Sequence, residues 1–176
     1  GTQAPGGSFD GSLDGIVEEG EGFVELEAAL GAFAGETISH VHLVNDQDGP
    51  GSAASTIRHL ELVERGAAAA TTVLFDDPQS TARQDVDTDF TTADGDRSIS
   101  LAGNTWVTQE LPEELLITTE TVARLEIAIG DLGELQGLGF DDDDDFSSTD
   151  DFQAMFKLAG TQAPGGSFDG SLDGIV

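Results

Sequence analysis

The stretch "TVARLEIAI" (121–129) decides the fold class. Its apolar residues alternate with Arg124 and Glu126, which is the period of two that a half-buried β-strand requires. The stretches "FVELEAAL" (23–30) and "FQAMFKL" (152–158) alternate in the same way. Shorter β-branched or apolar runs lie at 37–44, 71–75, 97–101, 104–109 and 115–119, with turn residues between them. Many short strands at such spacing predict an all-β protein, an antiparallel β-sandwich of the immunoglobulin-like or jelly-roll-like type.

Two stretches need separate interpretation. Residues 52–70 could form a helix that ends at Gly66, or a strand that turns there, and the shared face of Leu60 and Leu62 favours the strand. Residues 133–152 carry glycines and five consecutive aspartates, a composition that predicts a solvated loop between the folded core and the last strand. Trp106, on an alternating strand, is predicted to be a core aromatic residue.

The charge of the chain is extreme, with 35 acidic residues against 6 Lys and Arg and a formal net charge of -29. This charge disfavours nucleic acid as a partner, because phosphate binding needs Lys and Arg. At low salt it destabilises a compact state by self-repulsion, which molar salt screens. Acidic residues interleaved with apolar strands, and a single Lys157, are typical of proteins from extreme halophiles. We therefore expect a haloarchaeal source.

The first seventeen residues, "GTQAPGGSFDGSLDGIV" (1–17), recur identically at 160–176. In extended conformation the large residues Phe9, Leu13 and Val17 share one face with glycines between them, and the second copy repeats them as Phe168, Leu172 and Val176. The preceding "APGG" (4–7) is typical of a linker. The sequence thus predicts a terminal segment at 1–17, a β-sandwich domain at 18–159, and a second terminal segment at 160–176.

Three explanations of this identity remain open. The chain could be a window of a tandem array with a period of 159 residues, or the segment could be a strand donated to a neighbouring subunit, or the duplication could have no role. In the first two cases an extended assembly follows, because a neighbour's strand covers an exposed sheet edge and links units head to tail. In a simpler alternative, residues 8–17 are the first strand of the domain that they precede, and no strand is exchanged.

Two groups of residues are candidate metal ligands. His40 and His42 lie two apart on a predicted strand, so both rings point to one side, and His59 could complete a site. Asp141, Asp143 and Asp145 belong to the aspartate run, which could bind Ca²⁺ or Mg²⁺, although it does not fit the EF-hand template. Both groups are more simply solvated or structural residues, so the prediction is that the protein has no cofactor.

The sequence contains no nucleophile elbow, Walker A or dinucleotide motif, so no catalytic residue is predicted and an enzyme is not expected. No apolar run reaches the length of a membrane span. With no cysteine, disulfides are excluded. In its pattern the chain resembles the outer β-domains of archaeal pilins and archaellins and the subunits of donor-strand filaments.

That resemblance implies a structural protein at the cell surface or outside the cell, a homopolymer whose partner is another copy of itself. Phe9, Leu13 and Val17, with their second copies, would carry the junction between units. The alternatives are a tandem-repeat adhesin module that binds a glycan, a surface or Ca²⁺, and a tail or capsid protein of a haloarchaeal virus.

Overall fold

A computed structural model describes residues 17–47, 50–81, 89–144 and 153–161. These residues form eleven β-strands, and one short 3₁₀ turn, Gly31–Phe33, follows the first strand. In chain order the strands are β1 (Val24–Ala29), β2 (Thr37–Asp46), β3 (Ala54–Glu64), β4 (Ala70–Thr72), β5 (Gln79–Ser80), β6 (Asp89–Ala93), β7 (Ser98–Ala102), β8 (Thr105–Leu116), β9 (Thr121–Asp131), β10 (Leu135–Asp141) and β11 (Gln153–Ala159).

The strands form two antiparallel sheets that are packed in two layers. The first sheet has the order β1-β9-β3-β7-β6, with β4 also paired to β3, and the second has the order β11-β10-β2-β8-β5. Three of the strand pairs are nested along the chain, because β1 pairs with β9, β2 with β8 and β3 with β7. The all-β, antiparallel prediction is therefore confirmed.

The main hydrophobic core lies between the two sheets. The first sheet contributes the face of β9 that the alternation predicted, with Leu125, Ile127 and Ile129 buried and Arg124 exposed. The second sheet contributes Phe140 and Phe156, whose rings meet edge to face at 6.0 Å between centroids. Each such side chain stabilises the fold by about 1.5–3 kcal/mol through burial alone.

Part of the second sheet is buried on both faces. Four residues that point away from the main core form a second apolar cluster, namely Val44, Trp106, Leu135 and Met155. Trp106 is thus a buried aromatic residue, as predicted, but it belongs to this outer cluster. Ala154–Ala159 are all at most 3% exposed, although β11 is paired on one side only within the described residues.

The prediction of a solvated loop over 133–152 is wrong for its first half. Residues 135–141 form β10, whose seven residues are all buried between β2 and β11. Gly137 lies where the strands approach closely, since a Cβ there would stand 2.9 Å from the carbonyl oxygen of Phe156. Asp141, predicted to be solvated, is fully buried.

Two further local predictions are resolved. Residues 54–64 are a strand, as the shared face of Leu60 and Leu62 favoured, and the chain turns at Gly66 with φ of 81°. The runs 104–109 and 115–119 were predicted as separate strands, but β8 spans Thr105–Leu116. Pro112 is tolerated inside β8 because it lies in the register shift opposite Ile38 and His40, where the regular ladder is interrupted.

Candidate functional site

The predicted junction segment reaches the described part of the chain at Val17. Its side chain is fully buried and belongs to the main core between the sheets. The other predicted junction residues, namely Phe9, Leu13, Phe168, Leu172 and Val176, lie outside the described residues. The last residue of the first copy is therefore an integral part of this domain.

The residues after Val17 are bound to the end of β9. Glu19 forms a parallel bridge with Ile129, and the amide of Gly20 donates a hydrogen bond of 2.9 Å to the Ile129 carbonyl. The side chain of Glu19 in turn accepts a hydrogen bond of 3.2 Å from the amide of Leu132. Residues 19 and 20, which follow the first copy, thus extend the first sheet beyond β1.

The second copy begins beside the same segment. The amide of Thr161 donates a hydrogen bond of 3.1 Å to the carbonyl of Gly133. Gly160 has φ of 120°, and a Cβ there would lie 2.4 Å from the Glu134 carbonyl oxygen, so this close approach requires glycine. Glu19 and Gly20, just after the first copy, and Gly160 and Thr161, at the start of the second, therefore contact the same short segment 129–134.

A second candidate site is a polar cluster on the outer face of the second sheet. His42 and Asp141, both fully buried, lie with Nε2 and Oδ2 3.7 Å apart. The other ring nitrogen of His42, Nδ1, is hydrogen-bonded at 2.9 Å to the hydroxyl of Thr108, which is bonded at 2.7 Å to that of Thr81. The pairing of β2 with β10 brings together His42 and Asp141, two of the sequence-predicted ligands.

Burial dominates the electrostatics of this pair. Desolvation, helped by the neighbouring His40, lowers the pKa of His42 to about 3. Desolvation also raises the pKa of Asp141 to about 8, against hydrogen bonds from the backbone of residues 142 and 143 that favour the charged form. The nearby charge of Asp143 raises the pKa of Asp141 further, so both shifts favour the uncharged forms of the two side chains.

An acidic cleft of about 460 Å³ adjoins this pair. His40 and Thr108, which flank His42, form part of its wall. Four carboxylate side chains also line it, those of Asp76, Asp77, Glu110 and Asp144. Gln109 fixes one of them by donating a hydrogen bond of 3.2 Å from Nε2 to Asp76 Oδ1.

His59 does not join the other two histidines. It lies on β3 of the first sheet, at a bulge where its φ is 53° and where β3 changes its partner from β7 to β4. Its Nδ1 stands 3.1 Å from Glu126 Oε1 and its Nε2 3.5 Å from Asp94 Oδ2. The suggestion that His59 completes a site with His40 and His42 is therefore wrong.

The remaining metal candidates are only partly brought together. Asp143 contacts Asp141 through its backbone amide, which donates to Oδ1 at 3.3 Å, and Asp145 lies outside the described residues. Within the ranges that the structure describes, no group of three or more His, Asp or Glu side chains is arranged to hold an ion. Sequence reasoning missed Thr108 and Thr81, because a hydroxyl residue on a strand or just after one carries no pattern that marks it as an orienting group.

Comparison with protein-family models, with curated proteins and with solved structures finds no match. In the described part of the chain, no helix has the length and apolar character needed to cross a bilayer.

Proposed function

We propose that this chain is a structural subunit or tandem repeat of an extracellular filament of a halophile, in which a terminal β-segment completes the neighbouring unit. The observation that carries the proposal is the burial of Val17, the last residue of the repeated segment, in the main core. Val17 fills a position in the core of the unit that contains it. The identical segment at 160–176 ends in Val176, which can fill the same position in another unit.

The placement of the two copies supports exchange between units. Gly160 and Thr161 lie beside Gly133 and Glu134, a few residues from Ile129, to which the two residues 19–20 just after the first copy are bound. The fifteen residues that follow Thr161 span up to about 50 Å when extended, at roughly 3.3 Å each. That length suffices to reach the same position in a neighbour, while "APGG" at 163–166 provides a linker.

The proposed sandwich type is a jelly roll. Nested pairing of β1 with β9, β2 with β8 and β3 with β7 is what results when one long antiparallel ribbon folds over into two sheets. An immunoglobulin-like sandwich instead places strands in the order ABED and CFG, which lacks this nesting. The observed strand order therefore favours the jelly roll.

The halophilic and extracellular parts of the proposal depend on charge. The formal charge of -29 on 176 residues keeps units soluble and apart unless salt screens them. An apolar segment that inserts into a core is a junction that salt strengthens rather than weakens. Such a combination suits assembly in brine.

A second candidate function is an adhesin module that uses the acidic cleft. The cleft lined by Asp76, Glu110 and Asp144 is of a size that admits a small ligand, and none of its lining residues belongs to the segment 129–134. Regular filaments in electron micrographs would favour the structural subunit. A flexible string of separate domains would favour the adhesin.

The test compares three chains by light scattering in molar salt, namely the full chain, a chain that ends at Thr161, and a chain that begins at Glu18. The chain ending at Thr161 keeps its own segment and should be a monomer. The chain beginning at Glu18 lacks Val17, so the core position that Val17 fills is empty, and the second copy at 160–176 remains as a donor segment. This chain should form oligomers whose mass rises with concentration.

The same chain with Val176→Asp is the matched control, and it should lose the oligomers because a charged side chain cannot enter the core. If the chain beginning at Glu18 is a folded monomer with or without that substitution, the second copy does not occupy the position and the proposal is wrong.

A further inference from the structure

The edge of the second sheet at β11 fits the repeated segment of this chain. We propose that residues 11–17 of the first copy form a parallel strand beside β11, with Val17 next to Leu158. The exchange of this strand between units rests on the proposed function, whereas its position beside β11 within one unit can be tested alone.

Among the described strands, β11 is the one sheet edge that lacks the usual protection against pairing. Edge strands are normally very short or carry exposed charges. β4 and β5 have three and two residues, β6 begins with the exposed Asp89, and β1 exposes Glu25. β11 instead buries Ala154–Ala159, and its single charged residue, Lys157, is only 3% exposed. A further strand is therefore needed to cover this edge.

The first copy reaches the domain on the same side of the sandwich as β11. Ile129 pairs with Ser55 of β3, so Glu19, which also pairs with Ile129, lies on the side of β9 where β1 is. Ser55 donates a hydrogen bond of 3.0 Å to Asn45 of β2, so β3 faces β2. Since β9 is next to β3 and β10 is next to β2, the edges β1 and β11 lie on one side. Val17, buried in the core two residues before Glu19, is on that side too.

The ends of the two segments determine the direction of the pairing. β11 ends at Ala159, and the residues that follow it bind the segment 129–134. Residues 19–20, just after the first copy, bind the same segment. Val17 is separated from residue 19 by two residue steps, which span at most about 7 Å. Both strands therefore end at the same end of the sandwich, so they run parallel and Val17 lies beside the last residues of β11.

In this register the side chains of the two strands complement each other in size. β11 turns three residues towards the main core, namely Ala154, Phe156 and Leu158. Residues on the same face of neighbouring strands lie side by side. The resulting pairs are Val17 with Leu158, Gly15 with Phe156, and Leu13 with Ala154. The largest side chain of β11 thus meets a glycine and the smallest meets a leucine, which is how well-packed cores combine large and small residues.

Disulfide trapping tests this position, because the natural chain has no cysteine. The chain that ends at Thr161 is used, since it holds only the first copy. The register places Ser12 beside Gln153, and neighbouring strands are about 4.8 Å apart. Ser12→Cys with Gln153→Cys should therefore form a disulfide within the monomer under mild oxidation. Ser12→Cys with Glu25→Cys is the matched control for the β1 edge and should stay reduced. Equal yields for the two pairs, or a higher yield at position 25, would overturn the proposal.

Hydrogen exchange without any substitution keeps the test decisive if a cysteine variant fails to fold. In the chain that ends at Thr161, the β11 amides that point away from β10 should exchange slowly. They should lose that protection in a chain of residues 18–161, which lacks the segment, under conditions where the amides of the central strand β3 stay protected. Equal protection of these β11 amides in the two chains would overturn the proposal.

The outcomes separate this inference from the exchange between units. If the disulfide to position 153 forms while the chain beginning at Glu18 stays a folded monomer, the first copy lies beside β11 and only the exchange is wrong. If that chain forms oligomers but the disulfide yields are equal, exchange takes place at another edge.

Discussion

Replacing Val17 by alanine tests whether the repeated segment is part of the core. The side chain is fully buried, so the substitution removes two methyl groups that are worth about 1.6 kcal/mol at about 0.8 kcal/mol each. The cavity left behind raises the loss of unfolding free energy to about 2–3 kcal/mol. In a chain that ends at Thr161 this loss should appear in full. In the full chain it should be smaller, because the second copy can supply Val176.

The assay is urea unfolding followed by circular dichroism in molar NaCl, since urea leaves the ionic strength unchanged. Leu116→Ala is the control, because its side chain is 60% exposed and should change the free energy of unfolding by less than about 0.5 kcal/mol. A loss that small for Val17→Ala in the shortened chain would refute its place in the core. Equal losses in the two chains would refute exchange between the copies.

Three further outcomes are expected. Gly160→Ala should destabilise the chain by about 1–3 kcal/mol in thermal unfolding, more than Gly35→Ala, because the backbone angle is strained in both but only the Cβ at 160 meets a carbonyl. Hydrogen bonds from Arg65 and Arg124 lower the pKa of Glu27 below 4.5, so this carboxylate stabilises the fold at neutral pH and the contribution is lost as pH falls through the lowered pKa. The free energy of unfolding of the natural chain, from urea titration, should then fall more between pH 6 and pH 3 than that of Glu27→Gln, by less than about 1 kcal/mol at this half-exposed pair. Finally, β-structure measured by circular dichroism should be lost when salt falls from molar to about 0.1 M, and full retention at low salt would contradict the halophile argument.

The sequence was informative where one face of a strand is buried and the other is not. β1 and β9 have that arrangement, and their alternation identified them with the correct inward faces. β10 is buried on both faces, so "LQGLGFD" has no alternation, and its glycines resemble those of a loop. The adjacent aspartates favoured the wrong prediction of a solvated loop. Asp141 is the last residue of β10, and the aspartate run continues beyond the strand.

The candidate site was less predictable than the fold because its residues meet through long-range pairing. His42 and Asp141 are 99 positions apart, and only the register of β2 against β10 brings them together. No local sequence pattern predicts the register of β2 against β10. The same limit separated His59 from the other histidines, because it lies on β3, in the other sheet.

Added salt acts on folding and on association of this acidic chain in the same direction. Each copy of the segment holds two aspartates and no cation, so one period of 159 residues carries a formal charge of -27. Two such units repel each other over about 10 Å at 0.1 M salt but over only about 3 Å at 1 M. The proposed junction buries Val17 and its copies, and burial of apolar surface is not weakened by screening. Salt therefore favours both the folded unit and its association, and the ion pairs that it weakens, such as Arg65 with Glu27, lie at the surface where they contribute little.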